Sequence, residues 1–126
     1  MKDVNMFEIF VESDFCAAHR LNNYRGACEN LHGHNFKVEV VVRCKKLNQI
    51  YIGIDFKELK KYLKEILSTL DHRYLNEIDY FSKTNPTSEM IAKYIFETLK
   101  PRIKDCMLYS VSVYETSTSK VTYTED

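Results

Sequence analysis

The feature that most restricts the fold is a regular alternation of apolar and charged residues across residues 34–45. This period of two predicts a β-strand with one face in the core and the other in solvent. Comparable alternation predicts further strands over residues 6–18, 106–115 and 119–124. The two faces of the clearest strand carry Phe36, Val38, Val40 and Val42 on one side, and Lys37, Glu39 and Arg43 on the other.

Between the second and third predicted strands, apolar residues recur at helical spacing in two segments. The first covers residues 55–70 and starts at Asp55, with Glu58 three residues further on as in a capping box. Its apolar face comprises Phe56, Leu59, Leu63, Ile66, Leu67 and Leu70. The second helix starts near Pro86 and ends before Pro101. The order strand-strand-helix-helix-strand-strand predicts an α+β fold with a four-stranded antiparallel sheet, whose uncovered edges favour oligomerisation.

The composition suits one domain over residues 1–126 and favours neither a nucleic-acid nor a membrane partner. Because 18 basic side chains balance 18 acidic ones, the chain lacks the charge excess typical of such partners. No apolar run has the length of a signal peptide or membrane span, so we expect a cytoplasmic protein. In that reducing compartment the cysteines are expected to be thiols. Those in apolar strands are expected to serve in packing: Cys16, Cys44 and Cys106.

Three histidines are candidate metal ligands. His32 and His34 lie two residues apart at the start of a strand, so their side chains share a face. His19 ends the preceding strand with the inward parity of that strand, and a hairpin would bring all three to one sheet end. Three imidazoles without a fourth protein ligand are typical of a catalytic zinc ion with an open position. Similar donors also bind copper, nickel or iron.

Other residues offer proton-transfer chemistry. Cys28 has polar neighbours and precedes the histidine pair, where a metal cation would favour its thiolate form and make it a base. Asp71 and His72 follow the first helix, and a carboxylate that orients an imidazole is a common catalytic pair. A helix terminus explains His72 equally well but not Asp71, which is unfavourable there.

Glu115 continues the inward parity of the third strand after Tyr109, Val111 and Val113. A carboxylate on an inward face needs a partner. A planar amidine-like edge, such as the ring N–H and exocyclic amine of a pterin, is one such partner. An ordinary ion pair at the strand end is the alternative.

Together these residues resemble the 6-pyruvoyltetrahydropterin synthase / 6-carboxytetrahydropterin synthase family. The resemblance implies the tunnelling fold, in which antiparallel sheets of several subunits join into a barrel. It also implies a hexamer of two stacked trimers with active sites between subunits. The matching segments follow the family order along nearly the whole chain: 15–21, Cys28 with 31–34, 55–56, 70–76, 85–89 and 114–116.

The resemblance further implies the substrate, 7,8-dihydroneopterin triphosphate, and a role for each candidate residue. Zinc would be held by His19, His32 and His34. The proton-transfer group would comprise Cys28, Asp71 and His72. The pterin would be anchored by Glu115 in a pocket lined by Thr87, Ser88 and Glu89. The candidates for holding the triphosphate are Arg20, Arg25 and Lys120.

The spacing before His32-Gly33-His34 points to two branches of this family at once. Cys28, with three residues before the motif, resembles the bacterial 6-carboxytetrahydropterin synthases of queuosine biosynthesis. Glu29, with two residues before it, resembles the folate branch, in which Glu supports release of 6-hydroxymethyl-7,8-dihydropterin. A dual activity is therefore one hypothesis. A non-catalytic metal- or pterin-binding module and a zinc hydrolase with Glu29 as base are the hypotheses from other classes.

Overall fold

The computed structural model describes residues 5–22 and 32–125, except for the side chain of His32, and folds them into one mixed sheet and two helices. Short 3₁₀ turns connect some of these elements. The elements are β1 (Phe7–His19), β2 (His32–Cys44), α1 (Phe56–Leu67), β3 (Arg73–Tyr74), α2 (Ser88–Leu99), β4 (Met107–Thr116) and β5 (Ser119–Tyr123).

The sheet has the order β3-β1-β2-β4-β5. Its neighbours are antiparallel except for β3, which pairs in parallel with Ala17 and Ala18 of β1. The α+β class and element order agree with the sequence prediction, but a four-stranded, wholly antiparallel sheet does not. The difference is β3, which has only two residues and therefore no periodicity for sequence analysis to detect.

The β1–β2 hairpin fixes the position of the histidines. Its register places Ala17 opposite His34 and His19 opposite His32. Directly opposed residues in an antiparallel pair point to the same face. The closed end of the hairpin therefore gathers the histidine-bearing positions on the inward face of the sheet.

The core lies between this inward face and the two helices. Phe36, Val38, Val40 and Val42 are fully buried, as their alternation predicts. Helix α1 packs against β1, and α2 packs against β4 and β5. At the histidine end, the apolar core stops at His19, which is 1% exposed.

Helix α1 starts at the predicted capping residue but differs from the prediction in its capping box and its apolar face. Asp55 caps α1 by accepting a 2.8 Å hydrogen bond from the Lys57 backbone N–H. Glu58 does not complete the capping box, because it accepts a hydrogen bond from the Tyr62 hydroxyl instead. Phe56 is 60% exposed rather than part of the apolar face. In the described part of the chain, no helix is long and apolar enough to cross a lipid bilayer.

An irregularity in the β2–β4 ladder corrects another expectation. Val41 pairs with Ser110 whereas Val42 pairs with Leu108, so Tyr109 is an extra residue in β4. Such a bulge reverses the alternation of faces on one side of it. Tyr109 therefore leaves the inward face predicted for it, and its ring centroid lies 3.4 Å from the Arg43 guanidinium carbon.

The cysteines differ from expectation in two respects. Cys44 and Cys106 form a disulfide between the end of β2 and the residue preceding β4, so the prediction of thiols is wrong at these positions. Their strands are neighbours, and their Cα atoms lie 4.6 Å apart. Cys16 is exposed rather than packed, because even-numbered residues at this end of β1 face away from the helices.

Alkylation with mass spectrometry should reveal this pairing. Of the four cysteines, we expect two to be labelled in the denatured but unreduced protein, Cys16 and Cys28, and all four after reduction. Cys44→Ser is the matched variant, in which Cys106 becomes labelled without reductant. Labelling of all four cysteines in the unreduced wild-type protein would contradict the disulfide.

Candidate metal centre and adjoining cavity

His19 is held in a single orientation at the end of β1. Its Nδ1 lies 2.7 Å from the main-chain carbonyl oxygen of Pro86, which only accepts hydrogen bonds. Nδ1 must therefore carry a proton that it donates to Pro86. In the neutral ring this leaves the lone pair on Nε2, and such a hydrogen bond is a common way to orient a metal-binding histidine.

The Nε2 atom of His19 faces the carboxylate of Glu115. Oε2 of Glu115 lies 2.9 Å from Nε2 of His19 and 3.3 Å from Nε2 of His34. The two imidazole rings pack edge to face with centroids 5.5 Å apart. Glu115 reaches this position at a bulge in the β4–β5 ladder, where Tyr114 pairs with Lys120 and Thr116 with Ser119.

The chemistry of this cluster fits a zinc ion. One ligand atom from each of His19, His34 and Glu115 lies within 4.8 Å of the other two. Ligand atoms of a tetrahedral zinc ion lie about 2.0–2.2 Å from the metal, and therefore about 3.3 Å from one another. Imidazole and carboxylate are both ordinary zinc ligands. The backbone places His32 opposite His19, but its side chain lies outside the described part, so its role as a ligand stays a prediction.

A cavity of about 340 Å³ opens beside His19 and Glu115. Its lining includes the three residues expected at a pterin pocket, Thr87, Ser88 and Glu89. Thr87 also caps α2, because its Oγ1 accepts a 3.1 Å hydrogen bond from the Met90 backbone N–H. The hydroxyl proton of Thr87 remains able to donate.

Two asparagines hold the chain that leaves β1 along this cavity. The Asn76 side chain hydrogen-bonds both the N–H and the C=O of Arg20, at 2.9 and 2.8 Å. The Asn85 side chain does the same for Asn22, with both distances 2.8 Å. Sequence reasoning gave neither asparagine a role, nor the Pro86 carbonyl. Their only signal was that both asparagines fall in the polar segments that match the family.

Asp71 and His72 form a connected pair next to β3. Asp71 Oδ1 accepts a 2.9 Å hydrogen bond from the Cys16 backbone N–H, and its Oδ2 lies 3.0 Å from His72 Nδ1. The hydrogen bond from Cys16, followed by that from His72, holds the pKa of Asp71 below its ordinary value. His72 has φ of 58°, a conformation unusual for a residue other than glycine, and its N–H donates to the Cys16 carbonyl.

Of the remaining predicted site residues, those that the structure describes lie on the protein surface and do not line the cavity beside His19 and Glu115. The others lie outside the described residues. The His72 side chain is 81% exposed and lines an open cleft of about 550 Å³ with His34 and Cys16. It does not line the cavity beside His19 and Glu115. Lys120 lies 3.6 Å from Glu39, and Arg20 is exposed. Three predicted residues lie outside the described residues: Arg25, Cys28 and Glu29.

Comparison with known proteins decides the family. The sequence model of the 6-pyruvoyl tetrahydropterin synthase family matches residues 8–126. The chain belongs to this family. A 6-carboxy-5,6,7,8-tetrahydropterin synthase from Synechocystis sp. is 39% identical, in a match that covers 94% of this chain and 93% of that protein.

Members of the family from animals are similar as well. A human 6-pyruvoyl tetrahydrobiopterin synthase is 36% identical over 86% of this chain and 85% of its own length. The structure of 6-pyruvoyl tetrahydropterin synthase from Caenorhabditis elegans matches with a TM-score of 0.86 at 31% identity, covering 100% of both chains. The α+β fold described above is therefore that of this synthase family.

Proposed function

We propose that the protein is a zinc-dependent lyase that converts 7,8-dihydroneopterin triphosphate into 6-carboxy-5,6,7,8-tetrahydropterin for queuosine (7-deazaguanine) biosynthesis. The observation that carries the proposal is the convergence of His19, His34 and Glu115 at the edge of a cavity lined by Thr87–Glu89. The Synechocystis relative, a 6-carboxytetrahydropterin synthase 39% identical to this chain, supports this product.

Metal chemistry accounts for one part of the proposed reaction. Zinc held by His19, His34 and, as predicted from sequence, His32 would polarise oxygens of the substrate side chain and lower the pKa of its hydroxyl groups. The Pro86 carbonyl would keep the His19 ring in the orientation that binds the metal, because it accepts a hydrogen bond from Nδ1 at 2.7 Å.

The cavity accounts for substrate orientation. Glu89 and Glu115 supply acceptor oxygens, which suit the ring N–H and the exocyclic amine of a pterin. Ser88 and Thr87 add hydroxyl groups at the N-terminus of α2. The asparagines that hold the main chain of Arg20 and Asn22 keep the cavity wall in place.

Asp71 and His72 account for proton transfer. With its pKa lowered by the hydrogen bond from the Cys16 N–H, Asp71 stays ionised at neutral pH and accepts a hydrogen bond from Nδ1–H of His72. The exposed Nε2 of His72 is then free to take a proton from substrate. Cys28 is the second proposed acid or base at this centre.

We also propose that the protein is one domain that assembles into a homohexamer of two trimers, and that it acts in the cytoplasm although a disulfide such as Cys44–Cys106 is uncommon in that compartment. Strand β3 pairs only with Ala17 and Ala18, which leaves the rest of the outer edge of β1 open for another chain, within the described residues. An imidazole as exposed as that of His72, at 81%, is accessible to the cavity of a neighbouring subunit. This agrees with active sites between subunits.

The alternative product is 6-hydroxymethyl-7,8-dihydropterin for folate synthesis, formed instead of or beside the carboxy product. The adjacent Cys28 and Glu29 favour it, because each matches the catalytic position of one branch. A thiol with an unperturbed pKa of about 8.5 and a carboxylic acid of about 4.3 offer different acid and base strengths to the same substrate atoms.

Product analysis tests this proposal. Incubation with 7,8-dihydroneopterin triphosphate and zinc should yield 6-carboxytetrahydropterin, measured by liquid chromatography with mass spectrometry. Cys28→Ala should suppress that product by on the order of a hundredfold, because it removes an acid or base. Glu29→Ala should leave it and remove any 6-hydroxymethyl product, with Glu77→Ala as the control for losing an exposed carboxylate. Exclusive release of a 6-pyruvoyl product, or no turnover, would refute the assignment.

A further inference from the structure

We propose that Glu115 is itself a metal ligand in the substrate-free protein and that a bound pterin displaces its carboxylate from the metal. The resemblance assigns Glu115 only to the pterin. The displacement step rests on the proposed function, whereas the ligand role stands on the geometry of the cluster alone.

The distances support a ligand role. A single oxygen, Oε2 of Glu115, lies 2.9 and 3.3 Å from the Nε2 atoms of His19 and His34. These separations are close to the roughly 3.3 Å expected between two ligands of one tetrahedral zinc ion.

The electrostatics point the same way. Because the Pro86 carbonyl accepts a hydrogen bond from Nδ1 of His19, Nε2 is the ring atom left for a metal, and it lies 2.9 Å from Oε2 of Glu115. Among the described residues, no lysine or arginine forms an ion pair with Glu115. The nearby Lys120 instead approaches Glu39 at 3.6 Å. A metal ion bound to all three residues would supply a positive partner for the Glu115 carboxylate.

The backbone lets Glu115 serve two partners. Glu115 lies at the β4–β5 bulge, outside the ladder that fixes Tyr114 and Thr116, and bulges commonly redirect side chains near sites. Its side chain is 28% exposed and borders both the histidines and the cavity that contains Glu89. A rotation of the side chain about its own bonds is sufficient to move the carboxylate from one to the other.

This arrangement couples metal and substrate. In the absence of a pterin, Glu115 completes the ligand set and strengthens retention of the metal. When a pterin enters, the carboxylate turns to the ring N–H and exocyclic amine, and the metal position that it leaves becomes available to the substrate. Metal affinity and pterin affinity are therefore linked through one side chain.

Zinc affinity, measured by competition with a chromophoric chelator, tests the ligand role. We expect Glu115→Gln to weaken zinc binding by about 10- to 100-fold, at least the loss seen when an outer-shell partner of a metal ligand is removed. Glu89→Gln removes an equal charge from the same cavity and should leave zinc affinity unchanged. Glu115→Asp keeps the carboxylate on a shorter side chain and should be intermediate, which provides a second variant if Gln impairs folding.

The Co²⁺-substituted protein tests the displacement. Adding 7,8-dihydroneopterin, which has the ring and side chain without phosphate, should change the visible ligand-field absorption of the wild-type protein. In Glu115→Gln the starting spectrum should already differ, and the pterin-induced change should be smaller. Zinc affinities within about twofold and identical Co²⁺ spectra in both proteins would overturn the proposal. Because these measurements need no turnover, a weakened metal site in a protein that makes no carboxytetrahydropterin would refute the proposed function and retain the ligand role.

Discussion

Replacing His34 with alanine is expected to remove bound zinc and to reduce turnover by about a thousandfold or more, since metal polarisation supplies several kcal/mol of transition-state stabilisation. His34 Nε2 lies 3.3 Å from Glu115 Oε2, so the substitution removes one proposed ligand from the cluster. The side chain is 25% exposed, which keeps the cost to folding small. Zinc is measured by plasma mass spectrometry, with about one ion per chain in the wild type.

Asn35 provides the control, because it follows His34 directly in β2 but points to the opposite face. Asn35→Ala should keep its zinc. Circular dichroism of His34→Ala before and after adding zinc separates loss of metal from loss of fold. A fully zinc-loaded His34→Ala protein would show that the ligand assignment is wrong.

The second large effect is expected for Asp71→Asn, with a fall in kcat of about 10²- to 10⁴-fold, the range for loss of an acid or base. The Asn amide oxygen can still accept the Cys16 N–H, so the backbone near β3 should hold. The charge that binds the Nδ1 proton of His72 is lost, and the ring is free to adopt the wrong tautomer. His72→Ala should show a loss of similar size.

The pH dependence of stability provides a readout independent of catalysis. Because the pKa of Asp71 is lowered on folding, its stabilising effect is present above the unfolded pKa of about 3.9 and is lost as pH falls through the folded value. Wild type should therefore be more stable than Asp71→Asn at neutral pH, and the difference should close in strong acid. Asp79→Asn, an exposed control, should show neither effect. A kcat within twofold of wild type in Asp71→Asn would count against the pair.

The sequence predicted those features that depend on periodicity. Alternation in β2 gave the buried face from Phe36 to Val42, and parity placed His19 and His34 on that face. The first helix, predicted over residues 55–70, spans Phe56–Leu67. It could be predicted because its capping residue and its apolar spacing are both local signals. Parity alone also directed Glu115 inward.

Features that depend on contacts between residues far apart in the chain could not be predicted from the sequence. The Cys44–Cys106 disulfide requires the neighbouring positions of β2 and β4, which no local pattern reports. Tyr109 does not lie on the inward face predicted for it, because a bulge adds one residue to β4. The meeting of Glu115 with two histidines joins β1, β2 and β4, and the fixed tautomer of His19 depends on a carbonyl 67 residues away.

The placement of the disulfide has a consequence for how the sheet opens. Strands β2 and β4 are tied at one end by Cys44–Cys106 and meet at the other through His34 and Glu115. A reductant would break the disulfide, and a chelator would remove the metal ion proposed to join His34 and Glu115. The two treatments should therefore fray the same pair of strands from opposite ends, so that amide hydrogens near Val42 and near Val38 lose their protection independently.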